Sequence, residues 1–342
     1  MKLGIYLFGD TMSIGEIGTL AAQAEAAGFE SVWAGEYWHS GFQAAAAIAR
    51  ATSKVRVGTG VVQAFVRTPL TTAIEALDLD DVAGGRLILG LGSQVRRYVE
   101  RLHGIDYGKP VPRMREYLNA LRSLSTLSTG GSPVMPHGDY YHFDLTGFVR
   151  PTPAPRESIP LYLSAVRPGM TRLAGEIADG IIGHPMSSDQ DLDAYERWIR
   201  EGANRAGRNV SEIEHVQFVI CAVADDAAQA RHEAAQQIAL YAATQTYAYR
   251  LEQLGFERER HAIRSAYEAR DLAAMASAVS DRVLDAFALA GTPEDVIHRL
   301  SERVRPSHTT VLAPPTYGLS ATRASEITQL LITTLLRAGW TR

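Results

Sequence analysis

Five short segments of this chain gather side chains suited to proton transfer, stacking and anion binding. The first is Trp33-Ala34-Gly35-Glu36-Tyr37-Trp38-His39. A carboxylate, a phenol and an imidazole within four positions offer a general acid, and the indole and phenol rings offer stacking surfaces. Glu36, Tyr37 and His39 are therefore the catalytic candidates, with Trp38 a candidate pocket wall. The second runs from Gly58 to Arg67. Its glycines, Gly58 and Gly60, bracket Thr59, which points to unusual backbone geometry or close approach of a planar ligand. Phe65 is a candidate wall there, and Arg67 is placed to meet an anion. The third is an apolar run ending in Gly92, Ser93, Gln94 and Val95, followed by Arg96 and Arg97. A strand that ends in Gly and Ser before a helix offers free backbone N–H groups to an anion. One of the two arginines is expected on a solvated helix face. The fourth is Ser164-Ala165-Val166-Arg167-Pro168-Gly169-Met170, small residues leading into a helix start with proline near it, the outline of a phosphate cradle. The fifth is Gly183-His184-Pro185-Met186, where proline restricts the histidine to extended geometry. His184 either faces a cofactor or fills a rim.

Each segment follows a predicted strand. Strands are expected at 2–8, 31–34, 55–60, 87–91, 161–164, 181–182, 216–223 and 310–313. Helices are expected between Ser13, paired with Glu16 in a capping box, and Gly28, then at 42–51, 69–82, 113–127, 168–178 and 189–206. Further helices follow Asp226, follow Thr292, and run through Ile327 to Leu335. Residues 130–155 break this rhythm and read as a loop insertion whose DYYHFDL core alternates like an exposed hairpin. Residues 241–282 read as extra helical material rich in tyrosine and charge, with Tyr247 a candidate pocket wall. Eight strand–helix units predict an α/β fold, a (β/α)8 TIM barrel spanning 1–342 as one domain with two insertions. A doubly wound sheet would show G-x-G-x-x-G after its first strand, and FGDTMSIGEIG lacks it. In such a barrel chemistry sits where strands end and helices begin, which is where all five segments lie.

Composition narrows the partners. The formal net charge of −4 leaves no basic excess for nucleic acid. No apolar run is long enough to span a bilayer, and the N-terminus is too short in apolar residues for a signal peptide. The lone cysteine, Cys221, lies in an apolar run and allows no internal disulfide, which suits a cytoplasmic protein. No metal site is expected, because His39, His103, His137 and His142 are scattered without ligand spacing. A G-x-S-x-G elbow is absent too.

Taken together, AAQAEAAGFESVWAGE, KVRVGTGVV with RTPLTTA, GGRLILGLGSQVRRYVERLHGI, RMREYLNALRSL, LSAVRPGMTRLAGEIADGIIGHP and VLDAFALAGTPEDV resemble the bacterial luciferase-like flavin and deazaflavin oxidoreductases. The last three pieces and the SQVRRYVER run are similar to the coenzyme F-420-dependent subgroup. The resemblance implies a deazaflavin ring across the strand ends, backed by a cis peptide at Gly60–Val61. It places the phosphate on the Val166–Met170 turn and the ribityl chain at Ser93 and Gln94. Many relatives follow the acid at position 36 directly with histidine. Here Tyr37 stands next, and His39 comes two residues later, so Glu36, Tyr37 and His39 all stay open as the proton donor. The implied activity is hydride transfer to or from a small organic substrate, in a homodimer. An FMN-dependent monooxygenase and a non-catalytic cofactor-binding barrel are the alternatives.

Overall fold

The computed structural model describes residues 2–8, 11–130, 133 and 138–341. Eight parallel strands close on themselves: β1 (Lys2–Leu7), β2 (Ser31–Ala34), β3 (Arg56–Thr59), then β5 (Leu87–Gly92), β6 (Leu161–Ser164), β7 (Gly180–Gly183), β8 (Glu214–Val223) and β10 (His308–Ala313). Closure is made by β10, which pairs with β1 through Lys2↔Thr309 and with β8 through His308↔His215. Two short strands sit off this ring: β4 (Val62–Gln63) pairs with β5, and β9 (Ala288–Gly291) pairs with β8. The expected (β/α)8 barrel is the fold observed.

The helices follow the residues that start them. Ser13 and Glu16 form the capping box of α1 (Ile14–Ala26). After α2 (Gly41–Ala51) and α3 (Pro69–Val82) comes the short α4 (Arg96–Leu102). The next helix, α5, spans Pro110–Leu124 where 113–127 is predicted. Proline is favoured in the first turn, where its missing N–H costs nothing, so the helix begins earlier than its apolar stripe. The remaining ring helices are α6 (Pro168–Ile177), α7 (Asp189–Arg205), α8 (Ala227–Ala242), α13 (Pro293–Arg303) and α14 (Ala321–Arg337). Between α8 and β9 lie α9 (Gln245–Gln253), α10 (Glu257–Glu268), α11 (Leu272–Ser277) and α12 (Asp281–Phe287), the extra helical material expected at 241–282.

Two local expectations fail. Residues 139–145 form no strand, so the predicted hairpin is absent there. Their tyrosines plant the loop on α5 instead. Glu116 accepts the backbone N–H groups of Asp139 (3.0 Å) and Tyr140 (2.8 Å), and Arg113 Nε donates to Tyr141 Oη (2.9 Å). Residues 131, 132 and 134–137 of the insertion, His137 among them, lie outside the described residues. The predicted strand at 55–60 is also cut short, because the Gly60–Val61 peptide is cis and the chain resumes pairing as β4.

The barrel interior is filled by rings. Trp33, Tyr162 and Phe218 pack together, with Ile88, Ile182, Val216 and Val311 around them. Glycines make the room: a methyl group at Gly58 would collide with the Trp33 ring, and one at Gly180 would lie 2.8 Å from Tyr162. Polar groups close the end where the strands begin. Arg56 donates to Glu214 (2.9 Å) and to Tyr162 Oη (2.9 Å), and Lys2 lies 3.5 Å from Glu214. The opposite end is left for ligands.

At the closed end Glu25 caps the turn into β3 by accepting the N–H groups of Ser53 (2.9 Å), Lys54 (2.6 Å) and Val55 (2.9 Å). Partial burial works to raise its pKa, but the Val55, Lys54 and Ser53 donors outweigh it and hold the carboxyl at about 2, against an ordinary 4.5. The stabilisation is therefore complete above pH 4.5 and fades as the pH falls toward 2. Glu25→Gln is expected to lower the thermal midpoint at neutral pH by about 2 °C. The gap from wild type should narrow on acidification. Thermal denaturation followed by circular dichroism at several pH values checks this, and a constant gap would contradict it.

Candidate active site

A cavity of about 780 Å³ opens at the C-terminal ends of the strands. Its size suits a cofactor together with a small substrate. Every one of the five sequence segments contributes to it, though not every predicted residue does.

The β2 end is organised by Glu36. Its carboxylate accepts both arms of Arg67 (2.6 and 2.7 Å), the Gln63 N–H (2.8 Å) and the Gly41 N–H (3.2 Å). Both side chains are largely buried, at 6% exposure for Glu36 and 18% for Arg67. Burial opposes the charge on Arg67, but the hydrogen bonds and charge of Glu36 outweigh it and hold the guanidinium above its usual range. Glu36 touches the cavity but acts only as an acceptor, so its predicted place as proton donor gives way to a structural one. Arg67 is likewise no substrate anion site. Its partners are Glu36 and Glu75 (3.3 Å), and it lies behind the cavity wall.

Of the other residues in that segment, Tyr37 lines the cavity, with its ring against Tyr98 (5.1 Å) and Phe8 (6.5 Å). His39 does not. Its Nε2 donates to the Met12 carbonyl (3.0 Å) and ties the loop after β2 to the loop after β1. Trp38 points to solvent, 76% exposed, with its ring roughly perpendicular to that of Tyr37 (5.3 Å). Phe65 is also displaced from the predicted pocket. It is fully buried beneath Arg113 (4.4 Å) and backs Tyr107 (5.2 Å), which does reach the cavity.

The cis peptide puts Gly60 and Val61 on the cavity surface, close to Phe218, whose ring a methyl at Gly60 would meet at 2.6 Å. Gln63 lies beside them. Its Nε2 donates to the Glu36 carbonyl (3.2 Å), while its Oε1 is buried and has no partner among the described residues. At the β5 end Ser93, Gln94 and Val95 line the cavity. Gln94 has a positive φ of 56°, and its Oε1 accepts the Val95 N–H (2.9 Å). Tyr107 locks this turn: its hydroxyl donates to the Gln94 carbonyl (2.8 Å) and hydrogen-bonds with Ser93 Oγ (3.0 Å). Arg96 lies over the Tyr107 ring (4.9 Å) at the rim, whereas Arg97 is solvated.

At the β6 end Ala165, Val166, Arg167, Pro168, Gly169 and Met170 line the cavity. Proline stands in the first turn of α6, and the first intrahelical bond runs from the Thr171 N–H to the Arg167 carbonyl. The N–H groups of Gly169 and Met170 precede that bond, the usual arrangement of a helical anion site. At the β7 end His184 lines the cavity, stacked on Tyr247 (3.8 Å) and edge-on to Tyr241 (4.7 Å). Its Nδ1 accepts the Met186 N–H (3.1 Å). Burial, helped by the Arg250 charge, holds the imidazole well below its ordinary pKa, so the ring is neutral near pH 7. Tyr247, enclosed by the same rings, is pushed up to about 12.

Sequence reasoning missed Tyr6, Phe8, Tyr107 and Arg250. The strand-end rule applies equally to β1 and would have found Tyr6 and Phe8, both on the cavity wall. Tyr107 and Arg250 carried no local signal, because their partners are distant in sequence. Among the described residues no cluster of His, Cys, Asp or Glu has metal-binding geometry.

Replacing Arg67 by Met would strand the Glu36 charge in a buried site. The expected cost is about 3 kcal/mol of unfolding free energy, read by urea denaturation. A loss within error of wild type would mean that Glu36 is held by its backbone donors alone.

The luciferase-like monooxygenase family model matches residues 1–310. An uncharacterized protein of Mycobacterium tuberculosis is 33% identical over 288 residues, 83% of this chain and 85% of that one. The 5,10-methylenetetrahydromethanopterin reductase of Archaeoglobus fulgidus is 29% identical over 329 residues, covering 93% of this chain and 94% of that one. Among solved structures, the coenzyme F-420-dependent tetrahydromethanopterin reductase of Methanopyrus kandleri superposes with a TM-score of 0.83 at 25% identity, over 97% of this chain and 98% of that one. With this match over most of its length, the chain belongs to the luciferase-like monooxygenase family.

Proposed function

We propose that this chain is an oxidoreductase that uses the deazaflavin coenzyme F-420 to move a hydride to or from a small organic substrate. The observation that carries the reading is Gln63 Oε1, a buried acceptor without a partner among the described residues, set beside the cis peptide on the cavity wall. An unpaired buried acceptor is costly unless a ligand satisfies it. A flavin-shaped ring has a flat face for Gly60 and Val61 and ring N–H groups at its edge for such an acceptor. The Ser93–Val95 turn would hold its hydroxylated chain, and the N-terminus of α6 its phosphate. The coenzyme F-420 dependence named for the Methanopyrus relative supports the deazaflavin in particular.

When bound, the deazaflavin supplies a ring carbon that accepts or donates hydride without readily activating oxygen. The chain's own residues orient, enclose and move a proton. Val61 and Phe218 back the ring site, while Tyr241, Thr246 and Tyr247 from the inserted segment and Tyr37 from the β2 end add to the wall. Of the three predicted donors, Tyr37 is the one that both lines the cavity and is free of the Glu36 network, so proton transfer falls to its Oη. We read the whole chain as one cytoplasmic barrel domain, paired as a homodimer, with no nucleic-acid or membrane partner. An FMN-dependent monooxygenase is the second reading. The oxygenating constituent of 3,6-diketocamphane monooxygenase, solved with FMN, shares this fold at a TM-score of 0.63 and 17% identity.

Parallel titrations with oxidised coenzyme F-420 and with FMN, followed by fluorescence quenching, test the assignment. Binding of F-420 at least about tenfold tighter is expected, and the reverse preference would move the assignment to a flavin monooxygenase. With a turned-over substrate in hand, Tyr37→Phe should lower kcat about a hundredfold, while His39→Ala should keep wild-type turnover. A normal rate in Tyr37→Phe would remove Tyr37 from the proton path.

A further inference from the structure

Helix α9 belongs to the inserted helices, yet it reaches two loops of the barrel top. Arg250, with no side-chain exposure, donates to the Met186 carbonyl, to Ser187 Oγ (2.7 Å) and to Tyr195 Oη, all on the β7–α7 side. Tyr249, one residue earlier, turns to the β6–α6 side. Its Oη donates to the Val166 carbonyl (3.0 Å), and the Arg167 guanidinium lies over its ring at 3.6 Å. Arg250 stands on the same ring at 5.8 Å. Tyr249 is thus anchored by a fully buried neighbour and holds both the backbone and the side chain of the turn that opens α6.

Two physical consequences follow. A trans peptide points its C=O and its N–H in opposite directions. Fixing the Val166 carbonyl on Tyr249 therefore turns the Arg167 N–H away from α9. The guanidinium, for its part, has no carboxylate partner among the described residues, and Arg167 lines the cavity. Stacking on an aromatic face keeps a cation in place without neutralising it. The turn is left with a fixed backbone, an uncompensated positive charge and the helix N–H groups of Gly169 and Met170, all beside one cavity.

We infer that Tyr249 is a positioning residue for the phosphate end of the cofactor, an inference that rests on the cofactor reading above. It touches no reacting atom and acts through Val166 and Arg167. Its removal should matter to ligands that carry a phosphate there and not to the same ring systems without one. That selectivity separates it from a residue that merely stabilises the fold.

The test uses four probes on the intact protein: coenzyme F-420, its phosphate-free deazariboflavin fragment, FMN and riboflavin. Tyr249→Phe keeps the ring beneath Arg167 but loses the hydrogen bond, and is expected to weaken the phosphorylated member of each pair by about threefold to tenfold. Tyr249→Leu loses the stacking as well and is expected to weaken them further. The phosphate-free members should bind within twofold of wild type in both variants, roughly the scatter of such titrations. Equal losses for both members of a pair would assign Tyr249 to the fold and overturn the inference, as would no loss in either variant. If wild-type protein binds none of the four probes, the cofactor reading fails, and the inference falls with it.

Discussion

The open end of this barrel hangs on the four-donor clasp around Glu36. One carboxylate joins the end of β2, the N-terminus of α2, the end of β4 and the long arm of Arg67. These pieces come from 36 to 67 in sequence. A buried carboxylate with a bidentate guanidinium fixes direction as well as distance, since the two parallel bonds hold the groups coplanar. The chain leaves β3 through the cis Gly60–Val61 peptide and is caught at once by Glu36 through the Gln63 N–H. That capture holds Val61 and Gln63 on the cavity wall. Glu36 and Arg67 thus serve as scaffold, and the cavity wall beside the cis peptide is backbone, amide and aromatic.

The rest of the barrel divides its labour along the axis. Arg56, Tyr162, Glu214 and Lys2 seal the end where strands begin. Large rings fill the middle, where glycines on neighbouring strands leave them room. Above Phe218 the interior gives way to the cavity. Inserted helix α9 then closes one side with Thr246 and Tyr247 while Tyr249 and Arg250 fasten it to two barrel loops. At the β7 end His184, kept neutral by burial, packs against Tyr241 and Tyr247 as part of the cavity wall.

Much of this was legible in the sequence. Strands such as β2, β6 and β7 are short apolar runs bounded by turn residues, and the helix caps at Ser13 and Thr292 are local signals that the structure honours. The barrel followed from their rhythm, and so did the location of the cavity, because strand ends are fixed by the fold. Legibility ended where partners are distant. Nothing near Arg67 announces that it will be spent on Glu36, and nothing near His39 announces the Met12 carbonyl. A residue type suited to chemistry is equally suited to a salt bridge or a loop tie, and only tertiary contact separates these uses. The DYYHFDL segment makes the same point in reverse. Its alternation is real, but one face packs on α5 by way of Tyr141 and Arg113 instead of pairing with a second strand.

The central claim is that a deazaflavin lies on the Gly60–Val61 peptide with its phosphate at the start of α6. The most direct measurement is a crystal structure of the protein soaked with coenzyme F-420. The ring is expected against Val61, with a hydrogen bond at Gln63 Oε1 and the phosphate within reach of the Gly169 and Met170 N–H groups. A ring bound elsewhere in the cavity, or a phosphate remote from α6, would contradict the claim.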